Sequence, residues 1–84
     1  MPYVSQKKAL ELNIPHKTLQ TIELPKDKFN ITSAKDWLKK HNYANSFYRT
    51  TTHFIRFMQT IPIIGASYHS KKLPSGIILV YQKY

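Results

Sequence analysis

The sequence predicts an α+β fold, a small antiparallel β-sheet with one helix packed on it in the order β-α-β-β-β-β, behind an N-terminal arm. Three observations carry this. Residues 31–41 place their apolar side chains at helical spacing. The stretches around them are rich in Thr, Ile, Val, Tyr and Phe, which suit a pleated, half-buried surface. A Pro-Ser-Gly run at 74–76 separates two such stretches at hairpin distance. The chain of 84 residues is enough for one domain, read as 18–84 behind the arm. A domain of this size buries only about 60–65% of its unfolded surface, which favours association of copies.

Residues 1–17 read as the arm. Ser5 caps a short helix through Leu12, Asn13 stops it, and Pro15 forbids its continuation. Its clearly apolar residues are Leu10, Leu12 and Ile14, too few for a helix that stands alone. Residues 18–24 (TLQTIEL) form a strand closed by Pro25, and PKDK is a turn.

The clearest element is a helix over 31–41. Ile31, Ala34 and Leu38 fall at i, i+3 and i+7, with Trp37 beside them. Asn30 is a good N-cap, and Phe29 before it packs on Ala34 as a hydrophobic staple. Lys39, Lys40 and His41 crowd the last turn, where the helix dipole favours cations, and Asn42 suits a left-handed cap. Residues 46–49 and 53–59 then read as two strands joined near 50–52, because alternation across 47–59 is not clean as one. Residues 60–66 (TIPIIGA) are a loop. The closing SYHSKKL-PSG-IILVYQKY is a hairpin, its turn of type I with a left-handed Gly76, and IILVY reads as a central strand.

Lys and Arg number 13 against 4 Asp and Glu, a net charge of +9. Residues 1–36 hold all four acids and a net +2, whereas 37–84 hold +7 and no acid. That leaves seven cations almost without an intramolecular partner, the footprint of a surface for phosphate or another polyanion. Aromatics interleave with these cations in FYR (47–49), HFIRF (53–57), YHSKK (68–72) and YQKY (81–84). On adjacent strands they make a face where bases stack on rings and phosphates meet cations. Alternation groups Arg56 with Phe54 and Met58, and Tyr68 with Ser70 and Lys72. So small a domain also needs its aromatics as core. The expected nucleic-acid contacts are therefore Lys39, Lys40, Arg49, Arg56, Lys71 and Lys72, with Tyr48 and Tyr68 beside them. Ile61, Ile63 and Ile64, hard to bury in so small a fold, read as an interface of a homodimer.

The absence of Cys removes disulfides, thiol catalysis and zinc–thiolate sites together. His16, His41, His53 and His69 lack metal-ligand spacing, and the carboxylates are too few for paired acid–base chemistry. Gly65 and Gly76 alone cannot build a phosphate-cradling loop. No apolar run approaches the ~20 residues of a membrane span, and the N-terminal MPYVSQKK is not a signal peptide. The expectation is an intracellular protein without metal, cofactor, membrane or catalysis. One enzymatic alternative is His53 acting on RNA beside Arg56 and Thr51.

The segments LPKDKF (24–29), AKDWLKKHNY (34–43), YRTT (48–51), RFMQ (56–59) and KLPSGIILVY (72–81) resemble small uncharacterised proteins of large DNA viruses and phages. Their pattern is roughly LPxxxF…A..WLK..Y…RF.Q…LPNGI..VY, and it covers about residues 22–82, with Ser75 where Asn is more usual. The resemblance implies a viral origin and a role in the infected host cell or the virion. WLKKHNY ahead of Thr52-His53-Phe54 is more weakly similar to HicA-type toxins, small basic RNases of α-β-β-β-α fold, which implies a catalytic His53. Their Gly-Ser before the His is missing here, and no helix is read after the last strand.

The leading expectation is a small basic viral protein that binds DNA or RNA non-enzymatically, mainly through backbone phosphates. About five such contacts give a slope of log K against log salt near −4 to −5. The alternative is a virion structural or interaction module whose cations face acidic capsid or host proteins and whose arm docks into a partner.

Overall fold

The computed structural model describes residues 3–84; residues 1–2 of the expected arm lie outside them. Local chemistry places both helices. In α1 (Gln6–Glu11) the Ser5 side chain accepts from Lys8 N at 3.1 Å. In α2 (Ile31–Lys40) Asn30 Oδ1 accepts from Ser33 N at 2.8 Å, and Ser33 Oγ accepts from Asn30 N at 3.0 Å, a reciprocal capping box. Both helices also end alike, in left-handed Asn13 (φ 58°) and Asn42 (φ 60°). Ile14 N donates to Ala9 O at 3.0 Å and Asn13 N to Leu10 O at 3.1 Å. The matching bonds of α2 run from Tyr43 N to Leu38 O at 2.9 Å and from Asn42 N to Lys39 O at 3.2 Å. This is the Schellman pattern, and Asn is a side chain that enters the left-handed region at modest cost.

Five strands follow: β1 (Lys17–Pro25), β2 (Tyr48–Thr50), β3 (Phe54–Met58), β4 (Ser67–Lys72) and β5 (Ile78–Lys83). They form one antiparallel sheet in the order β2-β3-β1-β5-β4, so the expected α+β class is correct. The first strand sits in the middle, between two hairpins. The β4–β5 hairpin turns as expected, with Gly76 N donating to Leu73 O at 2.9 Å and Gly76 at φ +89°. The segment after β3 must reach the far edge, and it crosses β1 and β5 on the face away from α2. Gln59 N and Thr60 N both donate to Gln20 O there, at 2.7 and 3.2 Å. Gln20 is the bulged residue at which the β1–β5 register shifts between Leu19 and Thr21.

Ile22, Leu24, Ala34, Leu38, Ile55, Phe57, Ile77 and Leu79 form the core between α2 and the sheet. Full burial of a side chain such as Phe57 or Leu38 contributes about 1.5–3 kcal/mol. Ile31, expected on the buried helix face, is 39% exposed, because the first turn runs past the sheet while Ala34 and Leu38 sit over it. A second, smaller buried group lies at one end of the opposite face. Gln82, fully buried, donates from Nε2 to Ile61 O (3.0 Å) and Thr18 Oγ1 (3.3 Å) and accepts from Ile63 N (3.1 Å). Residues 3–16, the described part of the expected arm, join this end. Val4 bridges to Ile63, Ala9 is fully buried, and the Tyr84 hydroxyl donates to Ile14 O. Leu10 and Leu12, two of the few apolar residues of this stretch, are half-exposed, and the buried residue of α1 is Ala9.

Candidate nucleic-acid interface

Strand register decides which predicted cations share a surface. Cross-strand partners point to the same face, so Arg49, Arg56, Glu23, Ile78 and Lys72 make one row across all five strands. The next row on this face holds Met58, Thr21, Val80 and Ser70, and Phe54 lies beyond Arg56. The two parity groups Phe54-Arg56-Met58 and Tyr68-Ser70-Lys72 thus converge on the face that α2 does not cover. The crossing loop and residues 3–16 occupy only its Gln82 end.

On this open face Arg49 stands directly opposite Arg56 at the β2 edge. Arg56 is not free, contrary to the expectation from an acid-free second half. Its Nε lies 2.7 Å from Glu23 Oε2 on the neighbouring central strand. The Nε–H makes no directed hydrogen bond, so the contact is an ion pair, 20% exposed on the Glu23 side. Arg49 is exposed, and among the described residues no ion pair includes it. Phe54, Met58, Ile78 and Val80 between the edges are half-buried, which leaves an apolar centre flanked by Arg49 on one edge strand and Lys72 on the other. Four strand spacings put those edges about 19 Å apart.

The remaining predicted residues lie elsewhere. Tyr48 points to the α2 side, its ring 5.5 Å from Phe57 and under Lys35 Nζ at 5.4 Å, so it is a core-rim residue. Lys71 also faces that side, opposite Leu79. Lys39 and Lys40 are exposed at the end of α2, where the His41 ring stacks on Trp37 at 4.1 Å. Tyr68 keeps its place on the open face at 48% exposure. The eight residues therefore form no single patch. Two cations that the sequence did not single out, Lys17 and Lys83, are direct cross-strand partners on the α2 side, with Lys17 Nζ 5.6 Å from the centre of the Tyr81 ring. Lys83 was readable from the alternation Ile77, Leu79, Tyr81; Lys17 was not, because the Gln20 bulge reverses the parity of β1.

The expected isoleucine interface is also divided. Ile63 is 1% exposed and belongs to the protein's own interior, held by Gln82 and by the Val4 bridge. Ile61 is half-buried, and Ile64 is 61% exposed. Ile64 lines a shallow hollow with Tyr3 and Tyr68. His53 does not begin a strand; it is exposed in the turn ahead of β3, where Thr51 Oγ1 accepts from Phe54 N at 3.1 Å. The expected neighbour Arg56 is engaged with Glu23 on the sheet face. No family model, curated protein or solved structure matches the chain.

Proposed function

We propose that this protein binds nucleic acid without catalysis, gripping backbone phosphates with the open face of its sheet. The observation that carries this reading is the Arg49–Arg56 pair. Glu23 offsets the charge of Arg56, which leaves Arg49 opposite it as an exposed cation with no ion-pair partner among the described residues. A phosphate beside Arg49 supplies its missing counter-charge, and Lys72 supplies a second contact at the far edge. The net charge of +9 supports steering toward a polyanion. The resemblance to small proteins of large DNA viruses and phages supports a setting in the infected host cell or the virion.

The test is titration of labelled DNA and RNA at two salt concentrations. The open face leaves Arg49 and Lys72 for phosphate, with Arg56 held by Glu23, so log K falls with log salt at about −1 to −2, shallower than five contacts would give. Affinity that ignores salt overturns the reading. A second reading is a protein-docking module, favoured by the hollow of Tyr3, Ile64 and Tyr68, which are 51%, 61% and 48% exposed. Light scattering on purified protein, with and without nucleic acid, separates the two.

A further inference from the structure

We infer that the open face selects single strands over duplexes, an inference that rests on the nucleic-acid reading and names the form bound. Phe54, Met58, Ile78 and Val80 leave apolar surface in contact with water at the centre of this face. A duplex offers phosphates and groove edges and hides the faces of its bases, so it covers these side chains with nothing that matches them. A single strand presents base faces, which bury apolar and aromatic side chains whatever the sequence. Charge is arranged to match. In the row Arg49, Arg56, Glu23, Ile78, Lys72 the cations stand toward the edges and the one carboxylate sits on the central strand. Glu23 and Arg56 offset each other's charge, so the middle offers a phosphate no net cation and leaves room for a base. Phosphates therefore follow the edges, and bases lie inward, with Phe54 beside Arg56 as the one aromatic platform on that part of the face.

The experiment compares fluorescence anisotropy of labelled oligo(dT) and oligo(U) with that of a duplex of equal length at one low salt concentration. Single strands bind at least tenfold more tightly than duplex. Phe54→Leu weakens single-strand binding about tenfold and leaves duplex binding and the salt slope unchanged, whereas Phe54→Tyr keeps the single-strand affinity. Arg49→Ala weakens both forms. Melting curves of each variant confirm that it is folded, and Phe54→Tyr keeps the comparison valid if Phe54→Leu is not. Equal affinity for both forms, or indifference to Phe54→Leu, overturns single-strand selection and leaves phosphate binding standing. Absence of binding to every probe overturns both.

Discussion

Lys17 and Lys83 face each other directly across the β1–β5 pair, two exposed cations at the meeting point of the first and last strands. Opposite charges are the favourable arrangement at such a position, worth about 0.2–1 kcal/mol, and like charges are unfavourable. Lys83→Glu converts the repulsion into an ion pair. Its urea midpoint rises by a corresponding amount at low salt, and the gain shrinks at 1 M salt, where the Debye length falls to about 3 Å.

Arg49 presents the same geometry on the other face, with a functional consequence. Arg49→Glu places a carboxylate opposite Arg56 and stabilises the fold by a few tenths of a kcal/mol. The same change puts a negative charge where a phosphate is proposed to sit, so affinity for nucleic acid falls tenfold or more. Thermal melting and anisotropy measured on one preparation check both directions. Loss of stability together with loss of binding would show that Arg49 is structural instead.

Gln82 is a polar residue that the core cannot exchange for an apolar one. Its fully buried amide satisfies Ile61 O, Ile63 N and Thr18 Oγ1. Gln82→Leu fits by size and leaves one buried and two part-buried groups without their partner, at about 1–3 kcal/mol for a fully buried loss. The expected result is destabilisation by about 2–4 kcal/mol in denaturant titration, with residues 60–66 the first amides to exchange.

Neighbouring isoleucines give the sharpest contrast. Ile63→Ala removes a side chain that is 1% exposed and costs about 2–4 kcal/mol. Ile64→Ala, at 61% exposure, changes stability by less than about 0.5 kcal/mol. Equal effects at the two positions would mean that the crossing loop is not seated as described.

The elements that local chemistry defines were readable from the chain. The Asn30 cap, the left-handed Asn42 and the Pro-Ser-Gly turn all act within a few residues, so α2 and the β4–β5 hairpin appear close to their expected bounds. What sets the site is not local. Arg56 meets Glu23 only because β1 lies beside β3, a pairing between residues 33 positions apart that no periodicity encodes. Tyr48 and Arg49, neighbours on a strand, point to opposite faces by alternation, but which of them faces the core is set by pairing with β3 and not by the short, wholly exposed β2. Ile63 is buried by a contact that is distant in sequence, the bridge from Val4, which nothing in the composition of residues 60–66 signals.

The central place of β1 also bears on how the chain folds. Residues 17–25 find no strand partner until 54–58 and 78–83 have been made. Each hairpin closes locally, but neither has a core of its own, and a two-stranded ribbon is marginal in water. The sheet therefore assembles around its oldest segment in a late, long-range step, the kind of topology that folds more slowly than a helical bundle of the same length. Until that step, the strand that will be best protected in the native protein is the one with both edges bare.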